Sequence, residues 1–290
     1  MTALQTIVFG VVSGSYLIVA TLGFALVSRT EKFLNIAHAE LILAGAFMTY
    51  WLSVREGWPL VLAGVTAVLA IAVLGLVVGR VVYWPMRRSG AVVLLIASVG
   101  VVYVLHGVLE TAVKPGVYTF DIRDKTLLDV GGIRITGSES LIVAAAAASV
   151  LALHLVLTRT EMGLRLRASA SDESLAAARG IDVRRVSSQV WLMAGALAGL
   201  AGVLLGLRGA ISTDISFHEI LLILSVSILA GFGSLYGVVV AGLLLGVVTE
   251  LSTLVIPAGY RTAVAFVAVI LVLLLRPEGI SGATARKQGA

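Results

Sequence analysis

The sequence predicts an all-α fold, a polytopic membrane helix bundle of about eight or nine spans. Two observations carry that expectation. Mean hydropathy is +1.05, with 59% of residues hydrophobic and 13% charged, where a soluble domain is about a quarter charged. The apolar residues are also gathered into runs of roughly the 20 residues that cross a bilayer as a helix. The short alternating strands of a membrane β-barrel are not seen.

In chain order the expected spans are Ile7–Val27, Phe33–Val54, Pro59–Gly79, Ala91–Val113, Leu141–Leu157 and Val186–Leu207. A long uncharged run from Ile220 to Thr249 is divided at Gly231-Phe232-Gly233-Ser234, and Tyr260–Leu275 is the last span. The piece Phe217–Ala230 is short enough to be re-entrant, which leaves the parity open. The first run is too long for a signal-peptide core and lacks a basic leader, so it reads as a span rather than a cleaved segment.

Positive charge orients the spans. Segments 28–32, 80–90, 158–185 and 276–290 hold 14 of the 21 Lys and Arg residues. They are read as cytoplasmic, with the C-terminus inside and the N-terminus outside. The alternate connections are external, the largest running from Lys114 to Glu139. Its Val130-Gly131-Gly132-Ile133-Arg134-Ile135 stretch reads as a turn or short hairpin over the outer mouth. The net charge of +5 is spread between apolar spans, so no nucleic-acid partner is expected. With no cysteine, thiolate metal sites and disulfides are excluded.

Charged groups at membrane depth are costly and mark cavities or partners. Asn35, His38 and Glu40 open the second span. His38 and Glu40 are two apart, so they converge only if the helix is broken there. Asp214, His218 and Glu219 stand in the same way ahead of the long apolar run. One set starts inside and the other outside, the pattern of an inverted repeat with discontinuous helices near the midplane. Asn35, His38, Glu40, His218 and Glu219 are the candidate pathway residues, against the plainer reading that they sit at the interface. His106 and Glu110, four apart, read as a local pair near the outer end of their span. His154 and Glu250 lie near span ends. Gly195, Gly199, Gly202 and Gly206 on one span, and Gly237, Gly242 and Gly246 on another, read as close helix packing in the bundle core.

The segment 158–185 is a dense charged loop with helix punctuation of its own. Ser171 is expected to cap a short helix, with Asp172 and Glu173 in its first turn and Arg179 and Gly180 at its end. Such a loop is a surface for gripping a soluble partner. No phosphate-cradling loop, H-E-x-x-H motif, nucleophile elbow or carboxylate-rich metal cluster occurs. No catalytic residue and no cofactor is therefore expected. Energy for uphill transport must come from another subunit or an ion gradient.

Five motifs in one order then resemble a known family. Asn35-Ile36-Ala37-His38-Ala39-Glu40 is similar to N-F-A-H-G-E, and Tyr83-Trp84-Pro85-Met86-Arg87-Arg88-Ser89 to a Y-R-P-x-R element. Met162-Gly163, Arg167-Ala168, Asp172, Ala176 and Gly180-Ile181 match a cytoplasmic signature. Gly231-Phe232-Gly233-Ser234 with Gly237 resembles G-G-x-G-S-x-x-G, and Arg276-Pro277-Glu278-Gly279-Ile280 a terminal R/M-P-x-G-I/L. Together they resemble the permease subunits of high-affinity branched-chain amino-acid ABC importers, the LivH type. Ala39 and Ala230 depart from the family's glycines but are small.

The resemblance implies a single transmembrane permease domain, 1–290, in a bacterial or archaeal cytoplasmic (inner) membrane. It implies a heterodimer with a second permease subunit, two cytoplasmic ATPase subunits and an extracytoplasmic solute-binding protein. Met162, Gly163, Arg167, Ala168, Ser171, Asp172, Ala176, Arg179 and Gly180 would then form the coupling element on an ATPase. The cargo implied is a branched-chain or related amino acid; urea and short amides are also moved within the family. The competing class is an ion-coupled transporter or channel acting alone, with His38 and Glu40 as its relay. A membrane enzyme is disfavoured by the missing catalytic cluster.

Overall fold

The computed structural model describes residues 3–114, 116–120, 126–130, 133–276 and 279–280. Among them, nine helices make up the bundle: α1 (Ala3–Glu31), α2 (His38–Tyr50), α3 (Leu60–Val78), α5 (Ala91–Ala112), α6 (Gly137–Arg159), α9 (Val183–Arg208), α10 (Ile215–Ala230), α11 (Leu235–Ser252) and α12 (Arg261–Leu275). Three short helices lie at one end: α4 (Trp84–Met86), α7 (Glu161–Ser171) and α8 (Glu173–Ala178). Six helices, counting Leu60–Met86 as one, are long and apolar enough to cross a membrane. The shorter α2, α10 and α12 complete the bundle.

The division of the long apolar run at Gly231–Ser234 is as expected, and the turn has a clear cause. Gly231 and Gly233 take positive φ of 85° and 76°. Ser234 then caps α11 by accepting the Gly237 N–H at 3.1 Å. The terminal motif returns to this turn, where Ile280 N–H donates to the Leu229 carbonyl at 2.9 Å. Pro277 and Glu278 of that motif lie outside the described residues. The stretch before α10 pairs Ile211 with Tyr118 at the opposite end of the bundle. The 211–231 segment therefore runs from end to end and is not re-entrant.

The basic segments 28–32, 80–90 and 158–185 share one end with the described residues 276 and 279–280 of the fourth. Arg87 pairs with Glu173 at 2.8 Å, the Ser187 hydroxyl donates to Glu31, and Gly233 packs on Arg29. At the other end, strands β1 (Val117–Tyr118) and β4 (Ile211–Ser212) pair antiparallel, and β2 (Thr126–Val130) pairs with β3 (Ile133–Thr136) as the expected hairpin. Gln5 clamps the hairpin to α1 by bonding both backbone groups of Arg134, at 2.9 and 2.8 Å. Tyr118 and Phe120 pack edge-on to Tyr50, with centroids 5.2 and 5.8 Å away. The described parts of the 114–139 segment thus lie over the end opposite the basic segments.

The glycine-bearing α9 and α11 do form the core, but the helix at its centre is α1. Nearly every residue from Val12 to Val27 is buried. The α1 and α11 backbones touch through Gly10, Gly14, Gly242 and Gly246. A Cβ on Gly246 would overlap the backbone of Gly14, and one on Gly14 would lie 2.9 Å from Leu243 Cα. On α9, Gly202 abuts the α2 backbone at Ile42 and Ala46, and Gly195 and Gly199 abut α3. Small residues allow this approach, and dispersion between the backbones holds it where lipid offers no hydrophobic drive.

Candidate functional site

Two helices of the bundle begin inside it. After α1, Lys32 takes φ 58° and residues 32–37 run without regular helix before α2 starts at His38. The break is held at both flanks. Asn35 Oδ1 accepts the Tyr83 hydroxyl at 2.9 Å, and Ile36 N–H donates to Ser98 Oγ at 3.3 Å. Helix α10 begins after the 209–214 stretch. The first turns of α2 and α10 meet, because Ser216 Oγ donates to Glu40 at 2.7 Å. The broken second span and its counterpart thus converge, as discontinuous transporter helices do.

His38 and Glu40 do not converge. The break ends at His38 itself, so both residues lie on one helical turn, about 200° apart around the axis. His38 turns toward α1. Its Nε2–H donates to the Ala20 carbonyl at 3.0 Å, and its ring fills the space left by Gly23. Glu40 turns the other way. Besides Ser216, its carboxylate has His106 Nδ1 at 3.4 Å. His106 Nε2 lies 3.5 Å from Glu110, so the expected local pair is present, but the ring stands between two carboxylates. Glu40 lines a cleft of about 410 Å³ bounded by α2, α5 and the start of α10. Its walls are Val99, Val102, Tyr103 and Ile220, with Phe217 at the rim.

His218 and Glu219 also separate. His218 is exposed, while Glu219 is buried and accepts the Tyr16 hydroxyl at 2.8 Å. Next to it, Arg208 lies 5.1 Å from the centroid of the Tyr16 ring and donates to Ser13 Oγ at 3.1 Å. Ser13 in turn donates to Glu250 at 2.8 Å, and Glu250 pairs with Arg261 at 2.9 Å.

Four α1 residues organise these contacts: Ser13, Tyr16, Ala20 and Gly23 recur at helical spacing and form one stripe. Sequence reasoning missed Ser13, Tyr16, Arg208 and Ser216 and underrated Glu250. Hydroxyls at Ser13 and Tyr16, three apart in an apolar run, were the available signal. Tyr16→Phe keeps the ring and removes the donor to a buried carboxylate, which costs about 1–3 kcal/mol. Thermal unfolding of the purified protein should show a drop of several degrees, and an unchanged midpoint would discount the contact.

At the end that carries the basic segments, the charged loop folds as two helices rather than one. Thr160 caps α7 by accepting the Gly163 N–H at 3.2 Å. A Cβ on Gly163 would collide with the carbonyls of Val156 and Leu157, so glycine lets α7 fold back on α6. The cap of the second helix is Asp172, not Ser171. Asp172 Oδ1 accepts the Leu175 N–H at 2.9 Å, while Ser171 ends α7. Serine and aspartate cap about equally well, so local preference does not choose between two adjacent candidates; the burial of Ala176 sets the register. Arg179 and Gly180, with φ 83°, end α8 as expected. Ala176 is buried against the bundle, and the rest of 171–180 is exposed, with Met162 and Ala168 half-buried and Arg167 exposed on α7.

Broken helices meeting at a carboxylate-lined cleft within an apolar bundle define a membrane transport protein. Sequence comparison places it more closely. The chain belongs to the family described as the permease component of the branched-chain amino acid transport system, whose model matches residues 6–275. It is 30% identical over 297 residues to the high-affinity branched-chain amino acid transport system permease protein LivH of Escherichia coli strain K12, covering 96% of this chain and 95% of that one. The permease protein BraD of Pseudomonas aeruginosa is 29% identical, with 96% and 95% covered. A probable LivH of Methanocaldococcus jannaschii is 26% identical, with 96% and 92% covered.

Proposed function

We propose that this chain is one permease half of an ATP-driven importer of branched-chain or closely related amino acids. A second permease half, two cytoplasmic ATPase subunits and an extracytoplasmic binding protein complete the machine. The observation that carries this reading is the capped, outward-facing α7–α8 pair on the cytoplasmic end of a chain from a transport-permease family. A helix presented in this way is a seat for a soluble partner. The cleft supports the cargo class: its walls are aliphatic and its floor carries Glu40, suited to a solute with an apolar side chain and an ammonium group.

One observation favours a second reading. Glu40, His106 and Glu110 form a string of titratable groups from the cleft toward the outer end, which is how an ion-coupled carrier conducts protons. The two readings part in sealed vesicles containing the chain and the products of its neighbouring genes. Uptake that needs ATP and ignores a protonophore supports the importer; uptake that collapses with the protonophore while ATP is present supports the carrier. Ligand-stimulated ATP hydrolysis over a panel of amino acids and amides identifies the cargo.

The coupling element has its own test. Asp172→Asn keeps an N-cap, whereas Asp172→Lys removes it, at about 1 kcal/mol, and reverses the charge at the helix N-terminus. The asparagine variant should transport at nearly the wild-type rate. The lysine variant should lose most uptake while its membrane bundle keeps its melting temperature. Normal uptake and normal ATPase co-purification by the lysine variant would remove α8 from the coupling role.

A further inference from the structure

Besides the apolar face of α12, where Val267, Ile270, Leu271 and Leu274 are exposed, the lateral surface of the bundle presents three helix faces of different chemistry. Along α3 the exposed side chains are apolar, Val61, Leu69 and Val73 among them. Between α6 and α11 runs a groove of about 500 Å³ whose polar pair answers itself, His154 Nδ1 lying 2.8 Å from the Tyr236 hydroxyl. Hydrocarbon can cover both faces without stranding a charge.

The third face, α5 with the first turn of α10, cannot be covered that way. Its strip of Val92, Ile96, Tyr103, Val104 and Val108 is 63–75% exposed. The same helix, α5, lines the Glu40 cleft with Val99, Val102, Tyr103 and His106. Glu40 and Asp214 line the cleft, Glu110 lies just beyond, His106 is the one basic-capable group, and no Lys or Arg is among the lining residues. Lipid tails offer no hydrogen-bond donors, so acids lining a cleft beside an apolar helix face need protein or a water-filled cavity over them. The acid excess also sets the chemistry of what covers them: a surface with Lys, Arg or hydroxyl donors.

We propose that the α5–α10 face is the seam on which the second permease half seats, and that the covered Glu40 cleft is one wall of the solute's path. This rests on the two-half importer reading above. The occupant is a membrane-embedded helical half that brings donors opposite Glu40 and Asp214. Apolar contact along the α5 strip supplies area, and the polar cleft beside it stays wet for cargo. The α3 and α6–α11 faces are left to lipid.

The absence of cysteine from this chain makes the test direct. Tyr103→Cys, Leu69→Cys and Leu151→Cys place one thiol on α5, α3 and α6 respectively. Each is tagged with a nitroxide, assembled with the partner subunits and returned to lipid, where oxygen collision reports contact with hydrocarbon. If Tyr103→Cys fails to assemble, Val108→Cys reads the same face. Collision at the α5 label should be lower than at the other two by about fivefold or more, as for a buried interface position. Shielding at Leu69→Cys or Leu151→Cys with a lipid-exposed α5 label overturns the seam and leaves the two-half reading standing. Lipid exposure at all three overturns the seam, and failure of any second permease half to co-purify with the chain overturns the two-half reading.

Discussion

Gly246→Val is expected to leave little folded protein. The α1 and α11 backbones approach so closely at Gly246 and Gly14 that a Cβ would overlap main chain rather than the tip of a movable side chain. Overpacking a tolerant core costs about 1–3 kcal/mol. Here relief requires separating two helices along the contact from Gly10 to Gly14, so the loss exceeds that range. The measure is the yield of monodisperse protein after mild detergent extraction. Gly107→Ala is the control, since nothing lies within 4 Å of its Cβ. In the isolated chain it should be neutral or stabilising, by up to about 1 kcal/mol through helix propensity. Equal yields from the two variants would show that the α1–α11 approach is not tight.

The second large effect is on transport. Glu40→Gln keeps an acceptor for Ser216 and nearly the same volume but removes the charge that faces His106 and the cleft. Expression should match wild type, and uptake should fall at least about tenfold, equivalent to 1.4 kcal/mol of lost transition-state stabilisation. The remainder should still need ATP. His154→Gln, on the exposed α6 face away from this contact network, should leave uptake unchanged. A Glu40→Gln variant as active as His154→Gln would remove the carboxylate from the path.

The bundle was legible in the sequence because bilayer thickness imposes a run length and the backbone must satisfy itself within each span. The break at Gly231–Ser234 was legible because two glycines and a capping serine have one local use. Glu40 and Glu219 were found because a carboxylate in an apolar run is costly wherever it points. Their partners were not, since Tyr16 and Ser216 are separated from them by 203 and 176 residues. No local pattern encodes a contact across the bundle. Ser171 was preferred over Asp172 because both are good caps one residue apart, and only the packing of Ala176 fixes the register. The central place of α1 was hidden for the opposite reason: buried on all sides, it shows no amphipathic face to read.

The segment Leu60–Met86 behaves as one rod of 27 residues, and its inner end is held at two points a single helical turn apart. Tyr83 stacks on Trp191 with centroids 4.8 Å apart and holds Asn35, which sets where α2 begins and so where Glu40 is aimed. Arg87, lying over the Trp84 ring, holds Glu173 of the cytoplasmic helix pair. The two joints differ in strength. The Arg87–Glu173 pair is partly solvated, worth about 0–1 kcal/mol, while the aromatic stack adds about 0.5–1.5 kcal/mol beyond its buried area and has a buried hydroxyl bond beside it. A load applied to α8 therefore parts the outer joint first, as a mechanical fuse would, before the aim of Glu40 is disturbed.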